Sequence, residues 1–414
     1  MLLEEENQQT LTGRYYRALV LTAVRQYHAI SRIQLRKVTG IRLASISKVV
    51  KDLLEEGLLE EAGSGESVRG RKQILLRLGS ASGFVIGVEF DVNRVIGLAV
   101  DLTSRVVSQS QKKLPQVVNR KRILNAIQEV ICDIIKQTNQ NQSKLIGIGV
   151  ADPGVIDIRK GISVFSSTIS DWRDVPLRSI LEDAFGVPVM IEANTRTKTL
   201  CEKRFGVGKE AKNLMFVEVG SGIGCGLMNG KELYRGFTES AGELGHVRVL
   251  ENGPVCNCGS YGCLETQASL PALASQAVRA MKEGAVSRIL ELAGGEADRV
   301  TAEHVFEAAR QGDKLALGIL DKAAEYLGVA VAGAINLFNP EMVIFDSKLG
   351  LVSELMLETV KRVIQRQALA VATRDLKIGV STLGEEAGAL GAAVMVLDKV
   401  FEIPQRTVPE FVEV

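Results

Sequence analysis

The chain has little tryptophan, histidine or cysteine, the residue types that most often signal an aromatic binding site, a metal site or a disulfide. Its 414 residues include one tryptophan, three histidines and six cysteines. No run of residues reaches the roughly 18 uninterrupted apolar positions of a membrane-spanning helix. The acidic start MLLEEENQQTLTGRYY also lacks the basic and apolar segments of a secretory signal. We therefore expect a cytoplasmic protein, in which cysteines stay reduced.

Charge of one sign does not dominate the chain either. Its 50 basic and 49 acidic side chains leave a net charge of +1, which says nothing about partners until the chain is divided. The hydrophobic fraction of 46% and the charged fraction of 24% are those of a soluble globular protein. A chain of this length is too long for one ordinary domain and suits two or three.

Half of the cysteines are clustered. Cys256, Cys258 and Cys263 lie close together, and His246 precedes the first of them by ten positions. Three thiolates and one imidazole form the ligand set of a closed tetrahedral zinc site, so we predict one structural zinc ion per chain. The alternative is a group of unligated reduced thiols. The remaining cysteines are isolated in apolar segments and are predicted to be small buried side chains, namely Cys132, Cys201 and Cys225.

One stretch, residues 31–51, carries six basic side chains and no acidic one. Apolar spacing predicts three helices in and around it, over about residues 14–28, 31–40 and 41–57. Ser31 is a good N-cap for the second helix. In that helix Ile33, Leu35 and Val38 are predicted to form an apolar stripe.

Two strands, Leu58–Glu61 and Gln73–Leu78, follow on either side of a glycine-rich loop. Two helices joined by a tight turn and followed by such a hairpin predict a winged helix-turn-helix domain over residues 1–80. Its third helix would enter the major groove of DNA, and its wing would reach the backbone or the minor groove. The predicted DNA contacts are Arg32, Arg42, Ser45, Ser47, Lys48, Arg69, Arg71 and Lys72. The alternative is a protein-contact module whose basic residues are only solvated.

The pattern changes after the small and flexible residues 79–83. Apolar strands such as FVIGVEF and LIGIGVADP alternate with helical stretches such as RILNAIQEVICDIIKQT over about 300 residues. This alternation predicts an α/β architecture. Glycines at the strand ends indicate backbone that approaches a ligand.

Several blocks in this region are similar to one known family. GSGIGCGLMNGKELYRGFTESAGELGHVRV followed by CNCGSYGCLETQAS resembles the signature of the ROK family (repressors, open reading frames and kinases). GIGVADPGVID, DWRDVPL and INLFNPEMVIF resemble other family blocks, so the resemblance covers roughly residues 83–395. It implies the two-lobed actin-like sugar-kinase fold, in which residues 81–195 form a first lobe completed by about 380–398. Residues 196–379 would form a second lobe with the zinc site, followed by a tail over 399–414.

Comparison with the family kinases argues against phosphoryl transfer. Their first phosphate loop reads Asp-x-Gly-Gly-Thr, whereas the matching residues 89–93 have lost both glycines and place Asp91 where phosphates would bind. Asp346-Ser347 replaces a Gly-Gly pair near the adenosine pocket, and Glu192 replaces the catalytic aspartate. Only the second phosphate loop, residues 220–224, is retained. We therefore predict that the chain is not an enzyme; the alternative is an ATP-dependent hexose kinase with a fused DNA-binding domain.

The sugar side of the implied cleft is better preserved. Glu243, His246 and Glu265 match family residues that contact sugar hydroxyls, and Asn194 and Glu192 belong to the block that matches the family's Asn-Asp-Ala-Asn motif. Carboxylates suit the vicinal hydroxyls of a neutral sugar, whereas Glu192 in the pocket would repel a phosphorylated one. The alternative is that Glu243 and Glu265 only orient the zinc loop.

Family repressors add an N-terminal winged helix-turn-helix that ends in a Gly-Arg motif, which Gly70-Arg71 resembles. The chain therefore resembles the repressor branch, such as the xylose and N-acetylglucosamine repressors, and we predict a sugar-responsive regulator of carbohydrate genes. Its partners would be a palindromic double-stranded DNA operator, a small sugar and further copies of the chain in a homodimer or homotetramer. A third possibility is a regulator without a ligand, whose second part is a dimerisation platform or binds a protein. Trp172 would either stack on the sugar or pack in the core.

Overall fold

The computed structural model describes residues 11–64, 73–79, 83–115, 118–138, 144–166, 169, 171–347 and 354–402. Three predicted DNA contacts in the wing loop lie outside these ranges, namely Arg69, Arg71 and Lys72. Most of the predicted tail, residues 403–414, also lies outside them. None of the helices in the described ranges is long and apolar enough to cross a membrane.

The N-terminal part consists of three helices and a small antiparallel sheet. The helices are α1 (Leu11–Tyr27), α2 (Arg32–Thr39) and α3 (Leu43–Glu55), and the strands are β1 (Ile30–Ser31), β2 (Leu59–Ser64) and β3 (Ile74–Leu78), in the order β1-β3-β2. Ser31 caps α2 by accepting a hydrogen bond from the Gln34 amide, and Gly40 ends the helix in the left-handed conformation. The predicted elements of this part therefore lie within a few residues of the observed ones.

The predicted apolar stripe of α2 is wrong. Leu35 is fully buried, but Ile33 and Val38 are each 46% exposed. Two residues along an α-helix correspond to a rotation of about 200°, which turns Ile33 away from the side that Leu35 buries. In α3, by contrast, Ile46 and Val50 are both buried, because they stand four residues apart on one face.

Two five-stranded sheets follow. The first contains β4 (Phe84–Phe90), β5 (Arg94–Asp101), β6 (Val106–Lys113), β7 (Leu145–Asp152) and β11 (Val189–Ala193), in the order β11-β7-β4-β5-β6. Helices α4 (Arg120–Gln137) and α5 (Leu177–Phe185) share an apolar core with it. A separate small sheet contains β8 (Val155–Asp157), β9 (Ile162–Phe165) and β10 (Arg173–Val175).

The second large sheet repeats the topology of the first. It contains β12 (Asn213–Val219), β13 (Ile223–Asn229), β14 (Glu232–Leu233), β15 (Met342–Phe345) and β16 (Lys377–Val380), in the order β14-β13-β12-β15-β16. In both sheets an antiparallel meander is extended by two parallel strands. The associated helices are α6 (Asn194–Phe205), α7 (Glu265–Ala268), α8 (Leu270–Lys282), α9 (Arg288–Leu292), α10 (Ala302–Arg310), α11 (Lys314–Phe338), α12 (Glu354–Gln367) and α13 (Ala370–Thr373). The α/β prediction is confirmed.

The last described helix, α14 (Ala387–Val400), returns to the first sheet. Its Ala389 and Ala393 share one apolar core with Val85 of β4 and Val24 of α1. Gly87 in β4 permits this approach, because a Cβ atom there would lie 1.9 Å from the Ala389 carbonyl oxygen. The N-terminal part and the first sheet are therefore packed around the same helix.

Candidate functional site

The predicted zinc ligands converge on one point. The sulfur atoms of Cys256, Cys258 and Cys263 and a ring nitrogen of His246 all lie within 4.8 Å of one another. The Cys258 and Cys263 sulfurs are 3.7 Å apart, and Nδ1 of His246 is 3.6 Å from the Cys256 sulfur. Zn–S bonds of about 2.3 Å in a tetrahedron place the sulfur atoms about 3.8 Å apart. The four groups therefore fit a tetrahedral metal ion.

The backbone of this loop is folded tightly. The Cys256 amide donates to the Ser260 carbonyl at 2.7 Å, and the Gly262 amide donates to the Pro254 carbonyl at 2.9 Å. Gly262 has a φ of +64°, and a Cβ atom there would lie 1.7 Å from the Leu250 carbonyl oxygen. A larger residue at position 262 would push the chain apart next to a ligand, so glycine is needed there.

Without a bound cation, burial opposes ionisation of two of the three thiols. Burial raises the pKa of Cys263 to about 12 and also raises the pKa of Cys256. At Cys258 the backbone hydrogen bond from Ser260 lowers the pKa of the thiol. Thiolate is the form that binds a metal, and direct coordination by a divalent cation offsets the cost of ionising the buried pair.

Residues 246–263, which carry the four predicted ligands, are called the metal loop below. A cleft of about 340 Å³ lies next to it. Its walls include residues 153–155 and 193–196, at the ends of two strands of the first sheet, and residues 220–224, where β12 turns into β13 of the second. Four of the five predicted sugar contacts line it, namely Glu243, His246, Glu265 and Asn194. The structure therefore brings together the metal loop and most of the predicted ligand-binding residues.

Glu243 and Glu265, the two predicted sugar-binding glutamates in the cleft, differ in their contacts with the rest of the protein. The Glu243 side chain is 54% exposed, and its Oε2 lies 3.9 Å from Nε2 of His246, on the ring edge opposite the metal-facing nitrogen. Oε2 of Glu265 accepts a hydrogen bond from the Ile223 amide at 3.2 Å. Glu243 thus presents its carboxylate to the cleft, while Glu265 also fixes the turn that begins β13.

Glu192 does not line the cleft, in contrast to its predicted contact with a sugar. It is fully buried in β11, where Oε1 accepts from Nη1 of Arg196 at 3.1 Å and Oε2 accepts from Nε of Arg235 at 2.9 Å. These cations compensate its charge, so the predicted repulsion of a phosphorylated sugar no longer follows from Glu192. Sequence reasoning missed both arginines. Arg235 is 43 positions from Glu192, and no spacing rule links residues so far apart.

A buried cluster of charged side chains reaches the cleft wall through Glu218. Lys198 of α6 forms ion pairs with Glu89 of β4, at 3.3 Å, and with Glu218 of β12. Glu218 lines the cleft and accepts a hydrogen bond from the Thr195 hydroxyl at 2.6 Å. Burial raises the pKa of Glu89, and the neighbouring Lys198 opposes that shift. Glu89 begins the stretch that resembles the family's first phosphate loop, so this cluster lies where that resemblance would place a nucleotide.

Other predicted residues lie away from the cleft. Trp172 packs in the core, with 1% of its surface exposed and its ring Nε1 donating to the Ser163 hydroxyl at 2.7 Å. Of the two roles open to Trp172, packing is the observed one. Cys201 and Cys225 are buried as predicted, but Cys132 is exposed, because it lies outside the apolar stripe that α4 buries.

The N-terminal part presents a basic surface. Three predicted DNA contacts are exposed on and just before the first turns of α3, namely Arg42, Ser47 and Lys48. Ser45 is half-buried, and Arg32 lies 3.8 Å from a carboxylate oxygen of Glu61 in β2. Leu43, which sequence reasoning did not single out, is 40% exposed beside these residues.

Two sheets of repeated topology around a cleft define an α/β protein with the fold of the actin-like sugar kinases. The chain belongs to the ROK family, whose model matches residues 85–399. It is 31% identical to the xylose repressor of Caldicellulosiruptor bescii over 396 residues, which are 96% of this chain and 98% of that protein.

Two crystal structures extend the comparison. A ROK family transcriptional regulator, a homologue of the Escherichia coli MLC protein, is 25% identical and has a TM-score of 0.81, covering 95% of this chain and 97% of its own. A ROK family glucokinase from Streptomyces griseus, in complex with glucose and AMPPNP, is 29% identical with a TM-score of 0.63. The glucokinase match covers 99% of that enzyme but 76% of this chain.

Proposed function

We propose that this chain is a sugar-responsive, DNA-binding transcriptional repressor. The observation that carries the proposal is the extent of the similarity. The xylose repressor matches 96% of the chain, whereas the glucokinase matches 76%. The family model begins only at residue 85, after the basic three-helix part. A DNA-binding repressor needs such a part, and a sugar kinase does not.

The N-terminal part is proposed to be a winged helix-turn-helix. Helix α3 would lie in the major groove, where Arg42, Ser47 and Lys48 reach base edges or phosphates. Leu43 would contact a thymine methyl group, the apolar feature of that groove. The wing, with Arg69 and Arg71, would contact the backbone or the minor groove. The chain would bind a palindromic operator as a homodimer or homotetramer.

The cleft is proposed to bind a neutral sugar. Glu243 offers an exposed carboxylate, and Asn194 and Glu265 line the same space. Acceptor groups of this kind suit sugar hydroxyls, while their negative charge disfavours a phosphate. The preference for a neutral sugar therefore rests on Glu243 and Glu265 instead of Glu192.

Kinase activity is proposed to be absent. Both oxygens of Glu192 accept hydrogen bonds from arginines, so this carboxylate is poorly placed to take a proton from a sugar hydroxyl. In the loop after β4, Asp91 accepts hydrogen bonds from the amides of Asn93 and Arg94, at 2.6 and 2.9 Å. Backbone amides of that kind cradle phosphates in nucleotide-binding loops. Here an internal carboxylate occupies them.

The metal loop is proposed to hold one structural zinc ion through His246, Cys256, Cys258 and Cys263. Four protein ligands leave no open coordination position, so the ion would contribute folding free energy and no catalysis. Cys258 and His246 also line the cleft, so an ordered metal loop would form part of the sugar-binding wall.

A path from the cleft to the DNA-binding part runs through helix α6. This helix begins at Asn194 in the cleft wall, and Arg204 in its last turn forms an ion pair with Asp398 of α14. Nη1 of Arg25 in α1 lies 3.4 Å from the same Asp398 oxygen. The Thr22 hydroxyl of α1 also donates to the Phe401 carbonyl at 3.2 Å. A sugar that binds two arrangements of α6 with unequal affinity would therefore shift α1.

Calorimetry and a phosphotransfer assay test the proposal together. We expect one neutral sugar from a panel of pentoses and hexoses to bind the purified chain, and no phosphate to pass from ATP to any of them. ATP-dependent phosphorylation of a hexose would instead establish the kinase alternative. Absence of binding by every sugar would favour the regulator without a ligand.

A further inference from the structure

Glu192 and Arg235 connect the two halves of the protein. Glu192 belongs to β11, an edge strand of the first large sheet, and Arg235 follows β14, an edge strand of the second. The Glu192 side chain is 1% exposed and that of Arg235 is 36% exposed, so the carboxylate is buried while the guanidinium is partly accessible to solvent. This ion pair joins the edge strand of one sheet to the segment that follows the edge strand of the other, and so restricts the relative position of the two sheets.

Arg196 adds a second connection to the same segment. Its side chain is 6% exposed, and its Nη1 donates to Glu192. Its Nη2 donates to the carbonyls of Glu239 and Ala241, the latter at 3.4 Å. Segment 235–242 is therefore bound at its start through Arg235 and near its end through Arg196, with Glu192 bonded to both arginines.

The segment leads directly into the ligand-binding residues. Glu243 follows it, and the 3-10 helix Leu244–His246 carries a metal ligand. The charges around Glu192 are balanced, since Arg235 also lies 3.7 Å from the Glu239 carboxylate. Two cations and two carboxylates form a closed set that leaves no charge for a catalytic task.

We propose that Glu192 is a positioning residue for the cleft. Its carboxylate, bonded to Arg196 and Arg235, fixes segment 235–242 and thereby orients Glu243 toward the ligand. The inference rests on the proposed function, because that ligand is the sugar. The position that resembles the family's catalytic aspartate thus carries an internal ion pair in this chain.

Hydrogen exchange of the full-length chain tests the first half of this proposal without a ligand. Glu192→Gln keeps the shape of the side chain but removes its charge, so one oxygen acceptor remains between two arginines. We expect amides in segment 235–242, including the Ala241 amide that donates to the Arg235 carbonyl at 2.8 Å, to exchange at least about tenfold faster. Exchange in the three N-terminal helices should not change.

Calorimetry with the neutral sugar that binds the wild type tests the second half. We expect Glu192→Gln to raise the Kd about tenfold, as for the loss of one charge-assisted hydrogen bond. The matched control is Glu232→Gln, the same change at an exposed residue of β14 just before the segment. It should leave both exchange and Kd at wild-type values. Should Glu192→Gln fail to fold, Arg235→Gln removes the same bond from its exposed side.

Each outcome has a distinct meaning. Unchanged exchange in segment 235–242 in both variants would overturn the proposal, whether or not a sugar binds. Faster exchange with an unchanged Kd would also overturn it, because the ion pairs would then have no bearing on ligand binding. A wild type that binds no sugar from the panel, with faster exchange in the variants, would reject the sugar and the orienting role while the restraint on the segment stands.

Discussion

At the scale of single residues, the metal loop is held by closely spaced side chains and a tightly bonded backbone. Each of its four side chains offers one ligand atom, and all of these atoms lie within 4.8 Å of one another. Because a structural zinc ion contributes folding free energy, removal of one ligand weakens both metal binding and the loop. The loop also forms part of the cleft wall, so its loss would disturb the proposed sugar site.

Metal analysis of Cys256→Ser tests this directly. We expect the wild type, purified without chelator, to contain about one zinc ion per chain, and the variant to contain less than half of that, because a neutral hydroxyl replaces a thiolate. The control is Cys132→Ser, which changes an exposed cysteine outside the cluster and should leave the zinc content unchanged. A wild type without metal would contradict the assignment.

A second residue-scale prediction concerns Asp152, at the end of β7 beside the cleft. Burial raises the pKa of Asp152 to about 6, although hydrogen bonds from Ser163 and Gly154 oppose the shift. The unfolded chain ionises this group near its ordinary pKa of 3.8. Ionisation of Asp152 therefore lowers the free energy of unfolding as the pH rises from about 4 to about 6. Above that range the loss stays constant, at roughly 3 kcal/mol at most.

Asp152→Asn removes this pH dependence and retains the acceptor for the Gly154 amide, which donates to Oδ1 at 2.7 Å. We expect the difference in the free energy of unfolding, variant minus wild type, to be larger at pH 7 than at pH 4.5. Urea unfolding at both pH values measures it. An equal difference at the two pH values would show that Asp152 is not the titrating group.

At the scale of elements, helices α6 and α14 cross in close contact. Gly391 of α14 faces Thr197 of α6, and a Cβ atom at position 391 would lie 1.8 Å from the Thr197 carbonyl oxygen. The crossing joins the cleft wall to the helix that supports α1. Its close packing makes it sensitive to a single added methyl group.

Gly391→Ala is expected to destabilise the chain by about 1–3 kcal/mol, because the helices must move apart or strain. Gly318→Ala makes the same change within α11, at a position where a Cβ atom meets nothing within 4 Å. That control should be neutral or stabilise the helix by up to about 1 kcal/mol. Chemical denaturation of both variants provides the comparison, and equal effects would contradict the packing argument.

Short sequence patterns predicted the helices, strands and caps better than they predicted contacts between residues far apart in the sequence. The α2 cap at Ser31 and the hairpin after α3 follow from short spacings, and the structure confirms both. It also brings the four predicted metal ligands together. The bond between Glu192 and Arg235 does not follow from short spacings, because it joins residues far apart in sequence. The prediction that Cys132 is buried was wrong, because an apolar stretch of sequence does not show which face of α4 meets the sheet.

At the scale of the whole molecule, the central question is how the cleft communicates with the DNA-binding surface. Arg25 of α1 and Arg204 of α6 share one oxygen of Asp398. Asp398 is half-exposed, so its ion pairs contribute little to overall stability. A change at this residue should separate DNA binding from the response to sugar.

Asp398→Asn tests the junction. We expect the variant to bind operator DNA with wild-type affinity and to bind sugar normally, while the sugar-induced change in DNA affinity falls toward none. Lys399→Gln, an adjacent change on the exposed side of α14, should leave the response intact. An unaltered response in Asp398→Asn would place the coupling elsewhere.

The most direct test of the central claim is fluorescence anisotropy of the purified chain on DNA from its own upstream region. It should be measured with and without each neutral sugar and at two salt concentrations, because phosphate contacts weaken as salt rises. We expect tight, salt-dependent binding that one sugar alters, and about tenfold weaker binding by Lys48→Ala. Tight binding that no sugar alters, or no specific binding at all, would contradict a sugar-responsive repressor.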